Sequence, residues 1–261
     1  MPAPGVPRVK ICGITTREDA EYAAAAGVWA IGLNFWPGSA RRCDLDTATE
    51  IAAALKRRVE VVGVFVNPTL AQVAGTAEAV GLTMLQFHGD EGPAFCAEAA
   101  RRTGCKVIKA VRVRSLADIQ ALAAFHVDYH LLDSHVTGQR GGTGETFAWE
   151  LARAHRGRVP MILSGGLTPE NVATAIVAVH PYAVDVASGV ESSPGRKDPA
   201  RVTAFVQAVE AAVAVGGVAV DAGGAASSAS SVAGSGLVVG SGAELAGGVE
   251  DSADAEPGVV A

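Results

Sequence analysis

The strongest constraint on the fold is an eightfold alternation of short β-branched runs and helical patterns. The runs are residues 9–12, 30–35, 61–66, 83–87, 107–111, 129–133, 160–164 and 183–187, with helical patterns between them. Near-continuous apolar runs are typical of parallel strands that are covered on both faces. Eight such repeats predict an α/β fold, a single-domain (βα)₈ TIM barrel. A doubly wound open sheet is the alternative, but no G-x-G-x-x-G follows the first run.

Three segments divide the chain. Residues 1–7 are an N-terminal extension, residues 8–214 are the predicted barrel, and residues 215–261 form a Gly/Ala/Ser-rich acidic tail. The net charge is −6, and six acidic residues lie beyond residue 210, where no Lys or Arg occurs. The tail has no sustained hydrophobic period, so it cannot bury enough apolar surface to offset its ordering entropy. We therefore expect a disordered C-terminal tail.

Composition also excludes several classes of function. The sequence shows no basic stripe of the kind that binds nucleic acid. It also shows no signal segment and no apolar stretch long enough to span a bilayer, so no association with a membrane is expected. The four cysteines form no C-x-x-C pair, so they are predicted to be reduced thiols in a cytoplasmic protein. The histidines lack metal-ligand spacing and no cofactor motif occurs, so neither a metal nor a cofactor is expected.

A TIM barrel places its active site at the carboxyl ends of its strands. Lys10 and Cys12 alternate with Val9 and Ile11 in the first strand, so they share the face that lines the barrel interior. A nearby ammonium group favours a thiolate, which can act as a base. The alternative is a small buried cysteine that only fills space. Asp133 closes the sixth strand, either as a catalytic or binding group or as a cap for the next loop.

Two glycine-containing loops suggest a phosphate site. Gly165 and Gly166 follow strand seven, and Ser188 and Gly189 follow strand eight. Glycines let backbone N–H groups approach an anion, and a short helix after strand eight would add its N-terminus. The loops after strands seven and eight are the common phosphate site of this fold. Residues 141–144, which contain Gly142, are read as a flap over the mouth or as a long turn.

Arg41, in the loop after strand two, is suited to holding a carboxylate in a bidentate fork. His88 follows strand four, where a hydrogen-bonded supporting role is favoured over a catalytic one.

Several motifs in combination resemble those of the phosphoribosylanthranilate isomerase family of tryptophan biosynthesis. The resemblance covers residues 8–214 and rests on Lys10-Ile11-Cys12-Gly13, Leu85-Gln86-Phe87-His88-Gly89, Leu131-Leu132-Asp133, Gly141-Gly142-Thr143-Gly144, Ser164-Gly165-Gly166-Leu167 and Asp185-Val186-Ala187-Ser188-Gly189-Val190-Glu191.

The resemblance implies an Amadori rearrangement of N-(5-phosphoribosyl)anthranilate. Asp133 would be the general acid that opens the ring, and Cys12 the general base that removes the C2 proton. Arg41 would hold the anthranilate carboxylate, although Arg42 stands where the family often has an aromatic residue, which leaves both arginines open. The other implied substrate-binding residues are Lys10, Gln86, His88, Gly142, Gly165, Gly166, Asp185, Ser188 and Gly189.

The expected partner is thus a small anionic phosphosugar, bound by a monomer or homodimer. Two alternatives stay open. The related histidine-pathway isomerase places an Asp where Cys12 stands. A non-catalytic phosphosugar-binding barrel would keep the glycine loops but need neither Cys12 nor Asp133.

Overall fold

A computed structural model describes residues 6–133 and 149–216 of the chain, without the side chains of residues 213–216. Eight parallel strands form a closed barrel in sequence order, and β1 pairs with both β2 and β8. The strands are β1 Arg8–Cys12, β2 Ala30–Asn34, β3 Glu60–Phe65, β4 Met84–Phe87, β5 Lys106–Arg112, β6 Tyr129–Asp133, β7 Met161–Ser164 and β8 Ala183–Val186. The predicted TIM barrel is confirmed, and the open doubly wound sheet is wrong.

Helices follow the strands and cover the outside of the barrel. They are α1 Arg17–Ala25, α2 Leu45–Ala54, α3 Leu70–Val80, α4 Pro93–Thr103, α5 Leu116–Ala121, α6 with residues 149–152 described, α7 Val172–Val179 and α8 Pro199–Gly216. The hydroxyl of Thr16 accepts a hydrogen bond from Asp19 N and caps α1.

Several helix boundaries differ from the sequence prediction, among them the start of α7 and the end of α8. The sequence places the start of α7 at Thr168 and Pro169, whereas the helix begins at Val172. Asn171 Oδ1 accepts from Thr168 N at 2.8 Å, so residues 168–171 close a separate turn. In addition, α8 extends to Gly216, two residues beyond the boundary predicted for the tail. The rest of the tail lies outside the described residues.

The barrel interior changes from apolar to polar along its axis. Its lower part is filled by small and branched side chains and by Met84, in one cluster separate from the core between strands and helices. The aromatic rings of Trp29, Tyr129 and Tyr182 pack against each other at this end, and Arg8 lies 5.2 Å from the Tyr182 ring. Polar side chains are therefore concentrated at the carboxyl ends of the strands.

A short antiparallel hairpin follows β8 and was not predicted. It consists of β9 (Glu191–Ser193) and β10 (Arg196–Lys197), preceded by a 3₁₀ turn over Ser188–Val190. Lys197 N donates to Asp19 Oδ2 at 3.1 Å, and Thr15 Oγ1 donates to Gly195 O. These bonds fix the hairpin against the segment that follows β1.

Among the helices of the described ranges, none combines the length and the apolar character needed to cross a membrane.

Candidate active site

Cys12 lies at the carboxyl end of β1 and is almost completely buried, with 3% of its surface exposed. Lys10, two residues earlier, is fully buried and donates to Asp185 Oδ1 at 2.8 Å. A Cβ atom at Gly32 on the adjacent strand would lie 2.8 Å from Cys12 Sγ and 3.3 Å from Lys10 Nζ. The thiol and the ammonium group are therefore on the same side of β1, packed against a glycine that leaves room for both.

The electrostatics of Cys12 differ from the expectation that Lys10 lowers its pKa below the usual range. Burial raises the pKa of the Cys12 thiol, and the charges of Lys10 and Lys197 only partly oppose this rise. Burial lowers the pKa of Lys10, but Asp185 and Cys12 together outweigh that effect and leave the pKa raised. Asp185 thus opposes part of the effect of Lys10, because its negative charge raises the pKa of Cys12.

Asp133 ends β6 and is 4% exposed. His88, just after β4, places Nε2 at 3.5 Å from Asp133 Oδ2. Gln86 lies two residues before His88 along the chain, so both side chains point to the interior face of the barrel. Within the described ranges, Gln86 Oε1 and His88 Nε2 are buried without a hydrogen-bond partner. Unpartnered buried polar atoms are uncommon, and these two are suited to binding polar groups of a substrate.

Arg41 is buried, whereas its neighbour Arg42 is exposed. The Arg41 guanidinium donates from Nε and from a terminal nitrogen to the two carboxylate oxygens of Glu191, both at 2.8 Å. Glu191 Oε1 also accepts from Lys197 Nζ at 2.8 Å. The structure therefore distinguishes between the two arginines that the sequence left as alternatives, because of these two only Arg41 lies among buried charged groups.

Glu191 and Lys197 are site residues that sequence reasoning missed. Burial raises the pKa of the Glu191 carboxyl, but hydrogen bonds from Arg41 and Lys197 more than compensate and lower it. Pro194-Gly195, with Gly195 at φ 81°, marks the turn of the hairpin that carries both residues. A Pro-Gly dipeptide between two short segments is a turn signal that could have revealed this hairpin.

The two predicted phosphate loops are adjacent. Gly165 and Gly166 have φ angles of 94° and 65°, a left-handed conformation that favours glycine. Gly189 lies against the first loop so closely that a Cβ atom there would be 1.9 Å from Leu167 O. Ser188 is exposed beside it. The structure thus brings four of the predicted phosphate-site residues together.

Other polar contacts hold these loops in place. Asn171 Nδ2 donates to Gly166 O at 3.0 Å, and Arg201 Nε donates to Gly189 O at 2.9 Å. Ser164 Oγ donates to Asp185 Oδ2 at 3.1 Å, which connects the end of β7 to the Lys10 pair. Gly142 and the flap predicted at residues 141–144 lie outside the described ranges. In the described part of the chain, no group of three or more His, Cys, Asp or Glu residues is arranged to hold a metal ion.

Comparison with known proteins identifies the family. The family model described as N-(5'phosphoribosyl)anthranilate (PRA) isomerase matches residues 9–208. N-(5'-phosphoribosyl)anthranilate isomerase of Geobacter metallireducens is 47% identical over 204 residues, which cover 78% of this chain and 99% of the relative. The Pseudomonas aeruginosa enzyme of that name is 50% identical, covering 77% of this chain and 94% of the relative.

Solved structures agree with this assignment. Phosphoribosyl anthranilate isomerase from Thermotoga maritima is 41% identical, with a TM-score of 0.71, and the match covers 78% of this chain and 99% of that structure. A phosphoribosyl anthranilate isomerase in complex with reduced 1-(o-carboxyphenylamino)-1-deoxyribulose 5-phosphate is 38% identical, with a TM-score of 0.68 and the same coverage. The chain belongs to the N-(5'-phosphoribosyl)anthranilate isomerase family.

Proposed function

We propose that this protein isomerises N-(5-phosphoribosyl)anthranilate to 1-(2-carboxyphenylamino)-1-deoxyribulose 5-phosphate in tryptophan biosynthesis, with Asp133 as general acid and Cys12 as general base. The observation that carries this proposal is the burial of a thiol and a carboxylic acid at the carboxyl ends of two strands of a barrel from this family. Catalytic groups of TIM barrels lie at this end.

The rearrangement needs two proton transfers. The Asp133 carboxyl donates a proton to the furanose ring oxygen as the bond from C1 to that oxygen breaks, which leaves an iminium ion. Cys12 then removes the proton from C2. The electrons of the broken C2–H bond form the C1–C2 double bond of an enolamine as the electrons of the C1–N double bond return to nitrogen. Tautomerisation of the enolamine yields the ketone. The iminium charge favours a thiolate in the same cavity. Each positioned proton transfer typically contributes about 10²–10⁴-fold to the rate.

The remaining predicted residues would hold the two ends of the substrate. Arg41 would hold the anthranilate carboxylate, while the glycine loops after β7 and β8, with Ser188, would bind the phosphate through backbone N–H groups. Gln86 and His88 would provide polar contacts between these ends, with Lys10 and Asp185 beside Cys12. The Arg41 fork is already engaged by Glu191 at 2.8 Å. The substrate carboxylate would therefore join or replace Glu191 on this guanidinium group.

The barrel domain is proposed to be sufficient for this reaction. The family match, at residues 9–208, ends within α8, and α8 ends at Gly216. A chain truncated after residue 216 should keep the kcat and KM of the full chain. A loss of activity from a truncated protein that is folded would show that the tail takes part in catalysis.

The function itself is tested with freshly prepared phosphoribosylanthranilate and the purified full chain in the presence of EDTA. The fluorescence of the anthranilate moiety should change at a rate proportional to protein concentration. Asp133→Asn should lose about 10²-fold or more in kcat. Asp128→Asn is the matched control. Asp128 directly precedes β6, whereas Asp133 ends it, and the Asp128 carboxylate accepts a hydrogen bond from Val107 N. This variant should turn over at the wild-type rate.

The same assay distinguishes an isomerase from a non-catalytic phosphosugar-binding barrel. If the folded protein binds the product or its reduced analogue but gives no fluorescence change with substrate, the isomerase proposal is wrong. Near-native turnover by Asp133→Asn would reject the role of that residue.

A further inference from the structure

The hairpin after β8 carries a buried ion pair. Lys197 Nζ donates to Glu191 Oε1 at 2.8 Å and to Ala187 O at 3.0 Å. The two charged side chains are only 2% and 5% exposed. A buried ion pair is expensive to desolvate and adds little to stability by itself. Its location therefore calls for an explanation other than stability.

The ammonium group of Lys197 lies at the level of Cys12. In the pairing of β1 with β8, Ile11 is level with Val186. Ala187, one residue further along, is therefore level with Cys12, and Ala187 O is the atom to which Lys197 donates. An electrostatic attraction joins Lys197 and the Cys12 thiolate, and it favours the charged form of both groups.

Arg41 extends the same charged cluster to the backbone beside Cys12. A Cβ atom at Gly13, the residue after Cys12, would lie 2.5 Å from Arg41 Cδ. The Arg41 side chain thus packs directly over the backbone next to Cys12 before its guanidinium group reaches Glu191. Arg41 and Lys197 share the single carboxylate of Glu191.

The charges that act on Cys12 from the described residues form two groups with different sums. Lys10 of β1 and Asp185 of β8 are paired at 2.8 Å and together carry no net charge. Arg41 of the loop after β2 and Lys197 of β10 share Glu191, so these three residues carry one net positive charge. Lys10 nevertheless acts on the thiol more strongly than Asp185 opposes it, and the hairpin cluster adds a second positive contribution through Lys197.

We propose that Lys197 is a positioning residue for the isomerase reaction, which acts through Cys12 by adding to Lys10 a second positive charge that stabilises the Cys12 thiolate. Glu191 partly offsets this positive charge, because its carboxylate pairs with both Lys197 and Arg41. This inference rests on the proposed function only in assigning the thiolate a role as base. The effect on the thiol itself is a property of the protein without substrate.

The test is a pH titration of Cys12 by NMR of the full chain labelled with ¹³C at the cysteine β-carbons. The Cys12 signal is assigned with Cys12→Ser. Lys197→Met should raise the titration midpoint of Cys12 by about one unit, which is a tenfold loss of thiolate at a given pH, because the loss of a nearby positive charge typically raises a thiol pKa by about that much.

Lys109→Met is the matched control. Lys109 Nζ makes the same kinds of contact, donating to Gly89 O at 2.6 Å and to Glu91 Oε2 at 2.9 Å, and this pair is equally buried. Its removal disrupts a buried lysine–glutamate pair without taking a charge from Cys12, so the Cys12 midpoint should stay within about 0.3 units of the wild-type value. A shift in Lys197→Met no larger than that in Lys109→Met would overturn the proposal.

Glu191→Gln provides a second variant if Lys197→Met does not fold. Removal of the shared carboxylate leaves the positive charges of Arg41 and Lys197 uncompensated, so the Cys12 midpoint should fall. A merely structural role for the cluster predicts no fall, and an unchanged or raised midpoint would contradict the proposal. The titration uses no substrate, so an inactive protein with the predicted shifts would reject the proposed reaction while supporting the electrostatic assignment.

Discussion

Replacement of Gly189 by alanine tests the contact between the two loops of the proposed phosphate site. A Cβ atom at this position would lie 1.9 Å from Leu167 O, whereas Cβ atoms essentially never approach other atoms within 3.0 Å. One loop must therefore move by about 1 Å, and the obstructing atom belongs to the backbone, so no side-chain rotation relieves the clash. Overpacking of this kind costs typically about 1–3 kcal/mol. A displacement of about 1 Å in a binding site can reduce catalytic efficiency by about 10²-fold.

Two measurements on Gly189→Ala check this reasoning. Urea denaturation should show a loss of about 1–3 kcal/mol in the free energy of unfolding, and KM for the substrate should rise more than kcat falls. Gly75→Ala is the control, because a Cβ atom there meets nothing within 4 Å. That helical substitution should stabilise the protein by about 0.5–1 kcal/mol. Wild-type stability and KM in Gly189→Ala would refute the proposed role of the loop contact.

Three further changes have defined outcomes. His130 Nε2 donates to Phe125 O and its Nδ1 faces His155, and burial lowers the pKa of His130 to about 4. The unfolded chain takes up this proton at a higher pH than the folded chain, so the free energy of unfolding should decrease as the pH falls from 6.5 to 4. The decrease should be smaller in His130→Gln. An equal pH dependence of stability in the two proteins would contradict this expectation. Arg41→Lys removes the bidentate fork and should raise KM about tenfold with a smaller change in kcat, and an unchanged KM would exclude Arg41 from carboxylate binding. Thr69→Ala removes half of the capping box with Gln72 and should lower the urea-derived unfolding free energy by about 1 kcal/mol, and an unchanged value would deny the cap its role.

Local sequence patterns were sufficient to predict the barrel. The strand at 129–133 has the predicted bounds, and most other strands differ by one residue at an end. Strand runs covered on both faces have a strong hydrophobic signal, since nearly all of their residues are buried. The start of α7 was predicted less well, because Thr168 and Asn171 form a local turn that resembles a helix cap in sequence.

The charged environment of Cys12 could not be read from the sequence. Arg41 and Glu191 are separated by 150 residues along the chain, and only closure of the barrel with its added hairpin brings them together. Strand alternation correctly suggests that Lys10 and Cys12 share a face, but it does not reveal that Asp185 neutralises the lysine. Burial sets the direction of the shift in the Cys12 pKa, and Lys197 is among the groups that oppose it; both are properties of the tertiary structure.

The role of Cys12 as the base is tested most directly by comparing two cysteine variants in the fluorescence assay. Cys43 is as buried as Cys12, but it packs in the apolar core between strands and helices. Cys12→Ser should lose about 10²–10⁴-fold in kcat with little change in KM, because a serine hydroxyl is a far weaker base at neutral pH. Cys43→Ser should keep a kcat within a few-fold of the wild-type value. A Cys12→Ser protein that turns over as fast as Cys43→Ser would contradict the account.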